Sequence, residues 1–334
     1  MILISCLTEN KWASYFVRTT RGRPTMKKKV AYKIKNWKTY NRSLINRGNI
    51  TIWIEDSFAN WYDLEGEGVG RPRTYSDDCI KLALTIRILY QLSLRATQGW
   101  LEGFVHMMKL IRLVPHYSIL SRRMRKLNIG YNLKTKKGKI DIVIDSTGYK
   151  IYGEGEWKMR THGKAKRRTW KKLHLSMDPN DFNIESVELT ASHVADCKIF
   201  AKLTKEIKDL GNTYLDGAYL SEICFEEIAK KGGRPFVNIR DGTCLSKKKT
   251  LGLEKRNDLI KEMRACGGKQ NWKKISGYHK RSLVETQMFR LKTIFGPRLK
   301  SRNFNNQKIE VQLIASALNR MTILGMPDSY SIAA

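Results

Sequence analysis

The apolar residues in the first half of the chain recur with the spacing of α-helices. The segment YSDDCIKLALTIRILYQL begins with a Ser-Asp-Asp cluster, which is typical of a helix N-terminus. Two further segments with helical spacing follow it, SLRATQGWLEGFVHMMKLI and VPHYSILSRRMRKL. The pattern therefore predicts a helical region over residues 75–130, preceded by a basic N-terminal segment over residues 26–74.

In the second half of the chain the pattern changes to the alternation that is typical of strands. The segment KIDIVIDSTG alternates isoleucines with Asp141, Val143 and Asp145, and this strand is predicted to end at Asp145. Further strands are predicted in KIYGEGEW, KKLHLSMD, IESVELTAS, NTYLDGAY and PFVNIR. Helices are predicted in ADCKIFAKLTKEIKDL and SEICFEEIAKK, and an irregular basic connection over residues 241–277. Residues 139–327 are thus predicted to form an α/β fold, a mixed sheet flanked by helices.

A last helix is predicted over residues 278–292, YHKRSLVETQMFRLK. Because a helix turns about 100° per residue, four polar residues share a strip about 60° wide: Tyr278, Arg281, Glu285 and Lys292. Apolar residues occupy the opposite side, as on a helix that packs against a core. One interpretation of the strip is a solvated face with an ion pair between Arg281 and Glu285. The other is a site at which Glu285 meets carboxylates from the sheet.

Basic residues far outnumber acidic residues, with 63 Lys+Arg against 31 Asp+Glu and a formal net charge of +32. Several long stretches contain no acidic residue, among them the one between Glu102 and Asp141. A globular core does not require this excess, whereas a polyanionic partner explains it, and nucleic acid is the first candidate. An anionic membrane surface is the alternative, but no segment approaches the roughly 20 consecutive apolar residues of a membrane span.

The last helix of the region 75–130 lies in the acid-free stretch. It follows a short turn and carries four polar or basic residues near its start: Ser118, Ser121, Arg122 and Arg123. One interpretation is a helix-turn-helix-like element that places these side chains in the major groove of DNA. The other is a plain helical bundle with a basic rim, and the sequence leaves both open.

Two features concern the start of the chain and its compartment. Met26 opens MKKKVAYKIKNW, which resembles a natural start, so residues 1–25 are expected to be poorly ordered or an upstream extension. The six cysteines are scattered, and no two are separated by only two residues. This spacing indicates neither a zinc ribbon nor a redox pair, and it fits a reducing cytoplasm.

Three carboxylates occupy positions at which a site is expected. Asp145 and Asp216 are predicted at strand ends, where sites gather in open sheets, and Glu285 lies on the last helix. Singly, Asp145 is also explained as a turn residue and Asp216 as part of a hairpin turn. Jointly, three converging carboxylates repel one another unless a cation joins them. Their oxygen atoms favour Mg²⁺ or Mn²⁺, and two such ions stabilise the attacking and leaving oxygens of a phosphoryl transfer.

The polar strip carries a resemblance to a known family. The spacing of Tyr278, Arg281, Glu285 and Lys292 resembles the YREK signature of bacterial insertion-sequence transposases of the DDE type. The segments DSTGYKIYGEGEWK, YLDGAY and GYHKRSLVETQMFRLKTIFG are similar to that family's segments around its three carboxylates.

The resemblance implies a ribonuclease-H-like core in which Asp145, Asp216 and Glu285 are catalytic and bind two Mg²⁺ or Mn²⁺ ions. It also implies that Tyr278, Arg281 and Lys292 contact DNA. The expected partner is double-stranded DNA at transposon ends and target, with a homodimer when two ends are brought together. Two alternatives stay open: a decayed copy that only binds DNA as a repressor, and a ribonuclease-H-like nuclease without strand transfer.

Overall fold

The computed structural model describes residues 31–54, 60–63, 74–130, 136, 138–151 and 170–332. The predicted extension at residues 1–25 lies outside the described residues. The chain divides into two compact units, one with residues 31–37 and 327–332 and the other with residues 38–326. In the smaller unit, strand β1 (Ala31–Ile34) pairs antiparallel with strand β8 (Ser329–Ile332).

The helices predicted within residues 75–130 are confirmed, and two further helices precede them in the basic N-terminal segment. The helices before the large sheet are α1 (Trp37–Arg47), α2 (Ile50–Ile54), α3 (Asp77–Leu89), α4 (Leu94–Met107) and α5 (Tyr117–Met124). Ser76 caps α3 by accepting the Cys79 N–H, and Ser93 caps α4 by accepting the Ala96 N–H. Helices α3, α4 and α5 pack against one another. No described helix combines the length and the apolar character of a transmembrane segment.

The larger unit contains a six-stranded mixed sheet. Its strands are β2 (Ile140–Ile151), β3 (Trp170–Met177), β4 (Ile184–Ala191), β5 (Leu210–Leu215), β6 (Arg234–Val237) and β7 (Arg298–Leu299). The order across the sheet is β4-β3-β2-β5-β6, and β7 pairs with the far end of β2. Strands β2, β3 and β4 are antiparallel, whereas β5 and β6 run parallel to β2. This topology confirms the predicted α/β fold and is consistent with a ribonuclease-H-like core.

Helices cover the sheet on both sides. They are α6 (Phe200–Leu203), α7 (Glu222–Lys230), α8 (Leu251–Ala265), α9 (Lys269–Ile275), α10 (Leu283–Phe295) and α11 (Phe304–Leu324). Successive side chains of a strand point to opposite faces. On β3, the neighbouring Leu173, His174, Leu175 and Ser176 are all fully buried, so neither face of this strand meets solvent.

Helix α11 joins the helical region to the sheet. It packs against both α3 and β4. The Asn319 side chain accepts the Ile184 N–H at 2.7 Å and donates to the Ile184 carbonyl at 2.8 Å, which pairs the start of β4 with the helix. The helical region and the α/β core therefore belong to one compact unit.

The strand predicted to end at Asp145 is longer than expected. Strand β2 continues to Ile151, and the first two residues of the predicted strand KIYGEGEW belong to it. The polar residues after Asp145 stay extended because β3 pairs with them, up to Lys150 opposite Trp170. Residues 152–169 lie outside the described part of the chain.

Two further predictions are corrected between β6 and α10. The connection over residues 241–277, predicted to be irregular, contains helices α8 and α9. The helix predicted from residue 278 begins only at Leu283, after a 3₁₀-helical turn over Tyr278–Ser282. Tyr278 and Arg281 therefore do not share an α-helical strip with Glu285 and Lys292.

Candidate active site

Asp145 and Asp216 are neighbours at the carboxyl end of the parallel pairing between the central strands β2 and β5. Together with Glu285 they form the carboxylate edge. The parallel pairing of β2 with β5 ends with Ile144 opposite Leu215, and each aspartate is the next residue along its own chain segment. Because paired strands lie about 4.8 Å apart, the two aspartates start side by side. Asp145 remains inside β2, whereas Asp216 leaves the sheet and precedes a 3₁₀-helical turn.

Glu285 is linked to this edge through Arg281. Nη1 of Arg281 donates to Oδ2 of Asp145 at 3.2 Å, and Nη2 donates to Oε1 of Glu285 at 2.7 Å. A guanidinium is a compact planar fork, so the two bound carboxylate oxygens lie within about 8 Å of each other. The ion pair between Arg281 and Glu285 thus exists, but it is part of a convergence with the sheet rather than of an isolated solvated face.

The charges at this edge are only partly balanced. Burial raises the pKa of Asp145, and the nearby Asp216 and Glu285 carboxylates add to the rise. The Ser146 N–H, which donates to Oδ1 of Asp145 at 2.7 Å, and the Arg281 guanidinium act in the opposite direction without cancelling it. The edge therefore has an excess of negative charge that a cation would relieve.

The donor set suits a hard divalent cation. The three carboxylates offer only oxygen atoms, which Mg²⁺ and Mn²⁺ prefer over nitrogen or sulfur ligands. Their oxygens do not all lie within 4.8 Å of one another. Arg281 bridges two of them and supplies one positive charge in this arrangement.

Two family models, each described as a transposase DDE domain, match the chain. One matches residues 45–154 and the other residues 136–320. The second covers more than half of the chain and includes Asp145, Asp216 and Glu285. The chain belongs to the transposase DDE domain family. This confirms the resemblance to DDE transposases, while the narrower YREK branch stays a prediction.

A relative of this DDE domain protein is an uncharacterized protein of Aquifex aeolicus (strain VF5), 28% identical over 193 residues. The match covers 52% of the chain and 57% of the relative, so the chain spans little more than half the length of the curated protein it matches. No solved structure matches the chain.

Tyr278 of the DDE domain lies in the core and not on the surface. It is 7% exposed, and its hydroxyl donates to the Leu215 carbonyl at 2.9 Å, directly before Asp216. Its ring packs beside Trp272, with ring centroids 5.5 Å apart. In this position Tyr278 fixes the end of β5, and the predicted contact with DNA would require it to leave its pocket.

Lys292 lies beside the carboxylate edge. Its Nζ donates to Oγ1 of Thr147 at 2.5 Å, and Thr147 is two residues beyond Asp145 on β2. Burial lowers the pKa of Lys292. A phosphate held at the carboxylates would therefore meet one cation from Arg281 and another from Lys292.

The residues predicted to read DNA from α5 divide into two groups. Ser118, Ser121 and Arg122 line an open pocket. Arg123 instead donates to the carboxylate of Asp77 and to the carbonyl of Tyr75, within the helical region. Arg123 therefore has an internal structural role, and a role in base recognition is unsupported for it.

Four polar residues behind the carboxylate edge, two of them buried and two partly buried, were not predicted from the sequence as a group. Oδ1 of Asp196 lies 2.8 Å from Nζ of Lys172 and 3.2 Å from Nδ1 of His174. Burial alone would raise the pKa of Asp196, but the contacts with His174, Lys172 and Ser146 lower it to about 2. The Tyr219 hydroxyl is buried nearby without a hydrogen-bond partner among the described residues. Lys172 and His174 share β3, but Asp196 and Tyr219 come from other segments, so sequence spacing does not indicate that the four residues meet.

A second acidic cluster lies at the turn of the β3–β4 hairpin. Its carboxylates belong to Asp178, Asp181 and Glu185, and ligand atoms from all three lie within 4.8 Å of one another. Nζ of Lys136 lies 2.5, 2.9 and 2.7 Å from them, respectively. The Lys136 ammonium thus contacts all three carboxylates and offsets part of their charge, and the predicted metal ligands are a different set.

Proposed function

We propose that the chain is a DDE transposase that cleaves phosphodiester bonds at the ends of its element and joins them to target DNA. The observation that carries this proposal is the side-by-side start of Asp145 and Asp216, with Glu285 linked to them through Arg281. Three carboxylates at one edge, within a family of transposase DDE domains, suit phosphoryl transfer better than simple DNA binding.

Asp145, Asp216 and Glu285 are the residues that would hold two Mg²⁺ or Mn²⁺ ions. When bound, such ions activate the attacking oxygen and stabilise the leaving oxygen of the phosphodiester. The chain's own cations then orient the substrate: Lys292 and Arg281 flank the carboxylates and offer N–H donors to phosphate oxygens. The net charge of +32 supplies the long-range attraction to DNA. Pairing of two element ends requires two active sites, so we propose a homodimer in the complex with DNA.

A cleavage and joining assay tests this function. The substrate is a labelled duplex that carries the DNA flanking the gene, incubated with the full chain, Mg²⁺ and a target plasmid. We expect cut and joined products from the wild type and none from Asp216→Asn. The matched control is Asp209→Asn, because Asp209 lies exposed directly before β5, while Asp216 lies directly after it. We expect Asp209→Asn to retain activity.

The same assay separates the alternatives. Cleavage without joined product would favour a nuclease without strand transfer. Binding without any cleavage, with Mg²⁺ and with Mn²⁺, would favour a DNA-binding repressor and contradict the proposal.

A further inference from the structure

A pocket of about 720 Å³ opens between the helical region and the segment that follows β7. Its basic lining residues are Arg87, Arg95, Arg122, Lys300 and Arg302. Among the described residues that line the pocket none is acidic, and hydroxyl groups of three serines supplement the cations: Ser93, Ser118 and Ser121. None of the three candidate metal ligands lines this pocket, so it is separate from the carboxylate edge.

Arg87, in the last turn of α3, is the most deeply buried cation of the pocket. It is only 4% exposed, yet its Nε and Nη1 have no hydrogen-bond partner among the described residues. A buried guanidinium without partners is costly. Arg87 also lines the pocket, and the planar N–H donors of a guanidinium suit the oxygens of a phosphate.

The positive charge of the pocket is balanced only in part, by Glu310, which lines a smaller adjoining cavity together with Arg87 and Lys300. Burial lowers the pKa of Lys300, and the nearby Arg87 charge lowers it further. Glu310, a buried carboxylate, opposes this shift, but its two oxygens each accept a backbone N–H, from Lys300 and from Ser301, at 2.8 Å. The Lys300 ammonium itself donates to a neutral acceptor, the carbonyl of Gln91. An anion is the partner that this group of charges lacks.

The starts of two helices also face the pocket. Ser93 and Leu94, at the start of α4, line it, as do Tyr117 and Ser118, at the start of α5. The N-terminus of a helix carries a partial positive charge, which favours anions. The helix ends thus act in the same direction as Arg87.

The sheet fixes the distance from this pocket to the carboxylates. Strand β2 runs six residues beyond Asp145 to Ile151, which pairs with Leu299 of β7, and Lys300 is the next residue. At about 3.3 Å per residue, Lys300 lies about 20 Å from Asp145. The pocket therefore lies beyond the aspartates in the direction in which β2 runs.

We propose that this pocket binds a phosphate group of the DNA backbone, about six base pairs from the phosphodiester that the carboxylates hold. The inference rests on the proposed function and specifies how its DNA substrate is positioned. The duplex would then be bound at the carboxylates and at a second position about 20 Å away, and these two contacts would fix its orientation on the protein.

Arg87→Met tests the pocket in the full chain, with fluorescence anisotropy of the labelled duplex at several salt concentrations. We expect about tenfold weaker binding and a log–log salt slope that is shallower by about 0.9. We expect thermal stability to be unchanged or higher, because a buried charge with unpaired nitrogens is removed. Arg87→Lys keeps the charge and is expected to recover part of the affinity. Lys205→Met is the control, since it removes a charge from an exposed residue outside the pocket.

Arg122→Gln, at an exposed lining residue, is a second test that does not depend on the folding of an Arg87 variant. Wild-type affinity and salt slope in both variants would overturn the inference, as would lower stability of Arg87→Met with unchanged DNA binding. Thermal shifts with pyrophosphate and with ATP separate the phosphate sources. If these compounds raise the melting temperature of the wild type but not of Arg87→Met, while Arg87→Met still binds DNA normally, the pocket binds a free phosphate compound. That result would overturn the DNA assignment. Wild-type protein that binds no DNA would instead contradict the proposed function itself.

Discussion

Tyr278→Phe separates a core role of this residue from a role in DNA contact. The substitution keeps the ring beside Trp272, so it creates no cavity, and it removes only the hydrogen bond to the Leu215 carbonyl. A lost hydrogen bond costs about 0.5–1.5 kcal/mol, and a buried acceptor left unpaired adds to this. We therefore expect the free energy of unfolding to fall by about 1–2 kcal/mol, while the affinity for DNA stays unchanged.

Urea denaturation and DNA-binding titrations of the same preparation provide the two measurements. Tyr32→Phe serves as the control, because Tyr32 is 67% exposed, and it is expected to change neither quantity. Unchanged stability together with weaker DNA binding in Tyr278→Phe would refute the reasoning, since it would show that the hydroxyl acts on DNA and not on the end of β5.

Three further predictions concern stability and the division of roles on α5. Burial raises the pKa of Tyr278 to about 12 from a usual value of 10.0. The difference in free energy of unfolding between wild type and Tyr278→Phe should therefore have its full size below pH 10, and it should shrink as the pH rises towards 12. Lys136→Ala leaves buried carboxylates without their cation and should cost about 3–5 kcal/mol in urea denaturation, whereas Lys261→Ala, at an exposed ion pair, should cost almost nothing. Arg123→Ala should lower stability and leave discrimination between end and random DNA unchanged, because Arg123 bonds within the helical region; lower discrimination with full stability would contradict this.

The periodic parts of the fold could be predicted from the sequence because packing imposes the period. The strand alternation and the helical spacing reflect which faces are buried, and the order of elements then leads to a mixed sheet. The length of β2 could not be predicted in this way. Its polar continuation resembles the end of a strand, and only the pairing with β3 keeps it extended.

In the candidate site too, some features could be predicted from the sequence and others could not. Asp145, Asp216 and Glu285 could be predicted as candidates because strand ends and a helix face are visible in the local sequence, and the pairing of β2 with β5 brings the two aspartates side by side. The environment of Tyr278 was predicted wrongly from spacing, because a tyrosine has an apolar ring and a polar hydroxyl and so suits a core or a surface. The burial of Arg87 could not be predicted from the sequence, since an arginine in an apolar helix resembles a surface residue until its burial is known.

The carboxylate edge is the central claim, and iron-mediated cleavage of the protein tests it most directly. Fe²⁺ replaces Mg²⁺ in the full chain, and ascorbate with peroxide then generates radicals that cut the polypeptide beside the bound ion. We expect cuts near Asp145, Asp216 and Glu285, which Mg²⁺ suppresses and Asp216→Asn weakens. Cuts confined to residues 178–185, where Lys136 contacts the second acidic cluster, or cuts unaffected by Asp216→Asn, would contradict the account.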